Sequence, residues 1–131
     1  GYYRPLLQPR AISGPFRIGD ARITPFEQDH GFSRTTGFRI NDFAYSTDVV
    51  ALDETAFGVL AGIDSWVVDA LQHDPHPTHA HLDLTLRWIE RVKPRRAVLT
   101  HMNIHMDYNE LQKILPEHVE PGWDGMTLVV G

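Results

Sequence analysis

The alternation of apolar and polar positions changes character once along the chain. Residues 1–15 carry Pro5, Pro9, Gly14 and Pro15 and read as loop. Short alternating runs follow at 16–18 and 21–26, split by Gly19-Asp20, and again at 36–40 and 43–46, split by Asn41-Asp42. Two such runs around a Gly-Asp or Asn-Asp pair carry the signal of a β-hairpin, so the first third reads as antiparallel strand. The period then lengthens. Residues 53–60 read as a short helix with Asp53 as its N-cap, and 64–68, with Trp66, Val67 and Val68, as a compact apolar strand. Residues 72–79 hold three histidines and two prolines and read as loop. Leu82, Leu86, Ile89 and Val92, with Thr85, fall at helical spacing, which predicts an amphipathic helix over 81–92 ended by Pro94. A buried strand follows at 97–99. A helix at 107–115 opens on Asp107 with Glu110 three residues on, the spacing of a capping box, and stops before Pro116. A final strand is predicted at 126–130.

Hairpins followed by strand–helix–strand–helix–strand predict an α/β fold with a mixed sheet and helices on one face. Three helices cover one face of such a sheet. The other face, or an edge, needs a cover that these elements do not supply, so the chain is expected to self-associate as a homo-oligomer.

Size and composition narrow the function classes. The 131 residues make one domain, and 42% hydrophobic and 22% charged residues are ordinary for a folded protein. No apolar run approaches the ~18 residues that cross a bilayer, and Gly1-Tyr2-Tyr3-Arg4 lacks the opening of a signal peptide, so no membrane is expected. With no cysteine the chain has no disulfide and no thiolate metal site, which suits a cytoplasmic protein. A net charge of −5 argues against a nucleic-acid polymer as partner. The basic run Arg91, Lys93, Arg95 and Arg96 lies where a helix ends, and there it favours the helix dipole.

Candidate chemistry sits at predicted strand ends. His30 in Gln28-Asp29-His30-Gly31, Asp48 in Ser46-Thr47-Asp48-Val49 and His101 in Leu99-Thr100-His101-Met102 each follow a run of strand-forming residues. Strand ends converge on a rim, so these three side chains are expected within roughly 10 Å of one another, about three extended residues. Imidazole plus carboxylate without cysteine is a ligand set for hydrolytic Zn²⁺ or Mn²⁺. Asp69 also ends a strand; it either orients a ligand histidine from behind or caps the following loop. His73, His76, His79 and His81 resemble a metal-binding tract, but two prolines constrain the loop and most of these rings are expected in solvent. Trp88 and Trp123 read as packing residues.

Taken in order, several phrases resemble a known family. They are Thr24-Pro25-Phe26-Glu27-Gln28-Asp29-His30-Gly31, Ala44-Tyr45-Ser46-Thr47-Asp48-Val49, Asp69-Ala70-Leu71, His76-Pro77-Thr78-His79, Arg95-Arg96-Ala97-Val98-Leu99-Thr100-His101-Met102 and Glu120-Pro121-Gly122-Trp123-Asp124-Gly125-Met126. The chain resembles the C-terminal half of a metallo-β-lactamase-fold hydrolase, and within that superfamily it is similar to the phosphoribosyl 1,2-cyclic phosphate phosphodiesterase group. The resemblance implies half of an αββα sandwich over 1–131 and a binuclear site. It implies that His30 binds one metal, Asp48 bridges both and His101 binds the second, with Zn²⁺ or Mn²⁺ as the two ions. His79 is then the catalytic, non-ligand histidine, with Asp69 and Asn103 supporting the site or the substrate, a small phosphodiester. The family's His-x-His-x-Asp-His motif is absent from these residues, and His105 stands where family members often carry an acid. The chain is therefore expected to hold metal weakly and to be inactive alone. An inactive self-associating fragment, a histidine-rich metal-binding module and an RNA-processing nuclease of the same fold are the rival readings.

Overall fold

The structure is a computed structural model and describes residues 3–131; the loop expected at 1–15 is present from residue 3, and residues 1 and 2 lie outside the described residues. The two hairpins form where the turn pairs demand. Strand β1 (Phe16–Ile18) pairs antiparallel with β2 (Ala21–Asp29), and β3 (Arg34–Ile40) with β4 (Phe43–Ser46). Asn41, with φ 51°, accepts from the Arg22 backbone N–H through its side chain at 2.9 Å, which fixes the second turn against β2. Helix α1 (Glu54–Leu60) is capped by Asp53, whose carboxylate accepts from the Ala56 N–H at 2.8 Å. Strand β5 (Ser65–Asp69), helix α2 (Leu82–Val92) and strand β6 (Arg96–Thr100) follow. Helix α3 (Tyr108–Ile114) is capped by Asp107, whose carboxylate accepts from the Glu110 N–H at 2.9 Å, and β7 (Val119–Pro121) ends the sheet.

The seven strands lie in sequence order, β1 to β7, with antiparallel pairs through β4 and parallel pairs from β4 to β7. Register assigns each residue a face. Ala44, Trp66, Ala97 and Val119 form one row across β4–β7, and Ser46, Val68, Leu99 and Pro121 the next row on the same face. Trp66, Val68, Ala97 and Leu99 are fully buried in one cluster with Ala56 and Leu60 of α1, Leu82, Trp88 and Ile89 of α2, and Leu111 of α3. All three helices therefore cover this inner face, as the pattern predicts.

Two sequence expectations fail near the C-terminus. Residues 126–130 form no strand: they join no ladder among the described residues, and Val129 is 90% exposed. The short apolar run supplied the strand signal, but no neighbouring backbone pairs with it. The last strand is instead β7, three residues ending in Pro121, too short to register as a periodic run. Trp123 is not a packing residue either; it is 55% exposed, whereas Trp88 is buried as expected. β2 and β3, which pair with each other between the two hairpins, also extend further than the pattern indicated. β2 reaches Asp29 because Gln28, an amide where alternation reserves an apolar residue, is buried at 1% exposure.

Candidate metal centre

Because β2 and β4 run in the same direction as β5 and β6, their C-terminal ends share one rim of the sheet. His30 follows β2, Asp48 lies two residues past β4, Asp69 ends β5 and His101 follows β6. The loop between β5 and α2 brings His79 back to the same place. The result is a tight set. His30 Nε2 lies 3.8 Å, His79 Nε2 4.0 Å and His101 Nε2 3.6 Å from the same oxygen, Asp48 Oδ1. The sequence expectation that His30, Asp48 and His101 converge is met.

Two of the three rings, His30 and His79, are held from behind. His30 Nδ1 lies 2.7 Å from the Thr78 carbonyl, which can only accept, so Nδ1 carries the proton and Nε2 presents a lone pair. His79 Nδ1 lies 2.8 Å from Asp69 Oδ2, which orients its Nε2 toward Asp48. Asp69 thus orients His79, in keeping with one of the two alternatives its position left open, and the same oxygen also accepts from the Val49 N–H at 3.2 Å. Burial pushes the Asp69 carboxyl above the usual carboxylate range, and the His79 and Val49 hydrogen bonds pull it partly back. The His79 ring stacks on His101, centroids 4.5 Å apart, and meets His30 edge-on at 4.8 Å.

The backbone at two of these positions is strained. Asp48 and His101 have φ of 57° and 60°, the left-handed region that a non-glycine residue occupies at a cost of about 1–3 kcal/mol. A relay of polar side chains over-determines the Asp48 turn: Gln28 Nε2 donates to Thr35 Oγ1 and to the Thr47 carbonyl, and the Thr35 hydroxyl donates to the Asp48 carbonyl at 2.7 Å. Gly31, with φ of 80°, lets the chain turn after His30, and a Cβ there would lie 2.7 Å from Thr78 Cγ2. Gln28, Thr35 and Thr78 escaped the sequence reading. The first had a usable signal, a buried amide in a strand, whereas Thr78 contributes only its backbone carbonyl.

The donor set fits a divalent cation. Two atoms each ~2.1 Å from one tetrahedral ion lie about 3.4 Å apart. The 3.6–4.0 Å separations around Asp48 Oδ1 are near that spacing and longer than hydrogen bonds, as ligands gathered around a shared ion would be. Geometry groups His30, Asp48 and His79 as one possible ligand set and Asp69, His79 and His101 as another. His79 therefore stands as close to the cluster as the residues expected to be ligands. Of the remaining histidines of the tract, His73 is exposed, while His76 and His81 are half-buried. Asn103 lies beside the site but is engaged: its amide donates to Gln72 Oε1 at 3.2 Å, and its oxygen accepts from the His105 N–H at 3.0 Å. His105 itself is exposed.

Comparison with known proteins agrees with this architecture. The family described as the beta-lactamase superfamily domain matches residues 4–102. A solved diphosphatase from the PhnP family superposes with a TM-score of 0.89 at 29% identity, over 93% of this chain and 48% of that one. The metallo-beta-lactamase fold protein YhfI from Bacillus subtilis superposes with a TM-score of 0.76 at 16% identity, over 92% of this chain and 55% of that one. An octanoyltransferase from Porphyromonas gingivalis is 25% identical over 118 residues, 88% of this chain and 24% of that protein. The chain thus spans about half the length of the solved relatives and a quarter of the curated one. No helix among the described residues is long and apolar enough to cross a membrane. A mixed sheet covered on one face by three helices, with histidine and aspartate gathered at its rim, is the form in which this chain belongs to the beta-lactamase superfamily, as half of a metallo-β-lactamase fold.

Proposed function

We propose that this chain is the C-terminal portion of a binuclear metal-dependent phosphodiesterase acting on a small phosphodiester. The observation that carries the reading is the convergence of three imidazole Nε2 atoms on Asp48 Oδ1 at 3.6–4.0 Å. The likeness to a PhnP-family diphosphatase supports phosphoryl chemistry over the other reactions named among the relatives. His30 and His101 would each bind one of two Zn²⁺ or Mn²⁺ ions and Asp48 would bridge them. When bound, such ions supply charge neutralisation for the phosphoryl oxygens and lower the pKa of water toward ~7.

The protein's own groups then divide the remaining work. The left-handed backbone at Asp48 and His101 places both side chains at the cluster. His79 is the general acid: its Nδ1–H is anchored on Asp69, and its Nε2 faces the cluster. As water adds to phosphorus and the bond to the leaving oxygen breaks, Nε2 delivers a proton to that oxygen. The proton shed by the water later restores the ring. Help of this kind is typically worth about 10²–10⁴-fold.

The remaining ligands would come from a His-x-His-x-Asp-His segment outside these residues, packed on the outer sheet face. Without it the chain associates with copies of itself through that face. The test compares this chain with a longer protein carrying the motif, each with Mn²⁺ and bis(4-nitrophenyl) phosphate. Negligible turnover by the chain and turnover by the longer protein that His101→Ala abolishes are expected. Robust hydrolysis by the chain alone overturns the fragment reading, and none by the longer protein overturns the phosphodiesterase.

A further inference from the structure

Among the described residues two buried side-chain oxygens have no hydrogen-bond partner, Gln28 Oε1 and Asp69 Oδ1. They lie on different strands, β2 and β5, yet both belong to side chains that grip the same turn. Gln28 reaches it from β2. Its amide nitrogen donates to the Thr47 carbonyl at 3.0 Å and to Thr35 Oγ1 at 3.1 Å, and the Thr35 hydroxyl donates in turn to the Asp48 carbonyl at 2.7 Å. Asp69 reaches it from β5 through the Val49 N–H at 3.2 Å. The peptides on both sides of Asp48 are therefore bound, and the one between Asp48 and Val49 is bound at both ends. With both planes fixed, neither φ nor ψ of Asp48 can relax, and the direction of its Cβ is set with them.

A further residue makes room for the amide. Register places Gln28 opposite Thr35 and Phe26 opposite Gly37. A Cβ on Gly37 would lie 2.5 Å from Gln28 Oε1 and would also enter the Phe26 ring. Glycine in the interior of a strand weakens it, so the notch has a cost. The amide has one too. Gln28 is 1% exposed, and the Thr47 carbonyl can only accept, so the NH₂ group faces it and Oε1 is left toward Gly37 without a donor. An apolar side chain of the same length would be buried at position 28 without that penalty. Uncompensated polar groups of this kind persist where they serve a site.

We infer that Gln28 and Thr35 are positioning residues for the metal-bridging carboxylate: they hold Asp48 in its left-handed conformation, with Gly37 as the notch that admits the amide, and thereby set the metal affinity of the cluster. This rests on the metal centre proposed above and names the residues outside the cluster that control it. Asp48 Oδ1 is the atom on which the three rings converge, so a turn of its backbone takes that oxygen from all three at once. Gln28 and Thr35 act on backbone carbonyls and bind no ion themselves.

The test titrates the chain with Zn²⁺ into the millimolar range and reads the dissociation constant from the imidazole ¹⁵N shifts of His30 and His101. The ¹³Cα shift of Asp48 in the metal-free protein reports its backbone, and urea unfolding without metal reports stability. Thr35→Val keeps the volume and removes the hydroxyl; it is expected to bind Zn²⁺ about tenfold more weakly and to move the Asp48 Cα shift. Thr35→Ser keeps the hydroxyl and is expected to bind as the wild type does, even where its urea midpoint is lower. Gln28→Met removes the amide together with its orphan oxygen; it is expected to lose affinity to the same extent while its urea midpoint stays level or rises. Wild-type affinity in Thr35→Val, or equal losses in Thr35→Ser and Thr35→Val, overturns the inference and leaves the metal centre standing. So does an affinity that falls only in step with the urea midpoint. If Gln28→Met does not fold, the Thr35 pair decides. No response of either ring to Zn²⁺ in the wild type overturns the metal centre, and the inference with it.

Discussion

The two faces of the sheet differ more than the two halves of the chain do. On the inner face Ala44, Trp66, Val68, Ala97 and Leu99 are fully buried beneath three helices. On the outer face register aligns Pro25, Phe38, Tyr45, Val67 and Val98 in one row, with residues just as apolar, yet Phe38 and Val67 are half-buried and Tyr45 is 40% exposed. Within that row only Val98 is buried. Apolar residues on both faces of a strand mark a sheet made to be covered twice. The inner face accounts for the chain's own stability; the outer face is prepared for contact with something more.

The strongest test of that contrast is a pair of truncations at neighbouring residues of β5. Trp66→Ala, on the inner face, is expected to cost about 3–5 kcal/mol in urea unfolding, in line with large-to-small substitution in a packed core. Val67→Ala, on the outer face, is expected to cost less than about 1.5 kcal/mol. Equal losses would mean that the two faces do not differ.

Association gives the next largest effect. If the outer face is the contact between copies, Tyr45→Lys places a charge at its centre. Sedimentation equilibrium at micromolar concentration should show an oligomer for the wild type and at least a tenfold weaker association for the variant, about 1.4 kcal/mol. Melting of the individual fold should hardly change. A wild-type monomer would remove the outer face's role as an interface.

The smallest effect concerns Asp69, which shares Val67's alternation yet is fully buried at the rim, bonded by His79 and Val49. Its folded pKa is raised above 3.8 by burial. The sign follows from linkage: the unfolded chain ionises first, so the neutral carboxyl's contribution is fully present below pH 3.8 and is lost as pH rises through the folded pKa. Asp69→Asn cannot ionise. Wild-type stability relative to this variant should therefore fall with rising pH across that window and level off above it, as read by urea unfolding at a series of pH values. A difference that rises with pH would contradict the assignment.

Much of this contrast was legible in the residues. Hairpin turns at Gly19-Asp20 and Asn41-Asp42, caps at Asp53 and Asp107 and the helical spacing from Leu82 to Val92 are local signals, and each produced the element it predicts. The site was legible as well, because His30, Asp48, Asp69 and His101 all stand at strand ends and parallel order brings those ends together. What stayed hidden depends on distant partners. Residues 126–130 are apolar enough for a strand, but strand formation needs a neighbouring backbone, and they join no ladder among the described residues. β7 forms because Val119 lies beside Ala97, a contact that no three-residue pattern reveals. Trp123 is exposed although the neighbouring Gly122 presses its backbone onto Leu99, a contact between remote segments. The supporting groups Thr35 and Thr78 act through a hydroxyl and a carbonyl whose targets, Asp48 and His30, lie far along the chain.

The central claim is that the rim histidines and Asp48 form a metal centre, while the histidines of the 72–81 loop other than His79 do not. Imidazole ¹⁵N spectra recorded during a Zn²⁺ titration test it most directly. The account predicts that the Nε2 resonances of His30 and His101 move together, that His73 and His105 stay in place, and that Asp48→Asn weakens the response of both rim rings. Movement centred on His73 and His76, unaffected by Asp48→Asn, would contradict it.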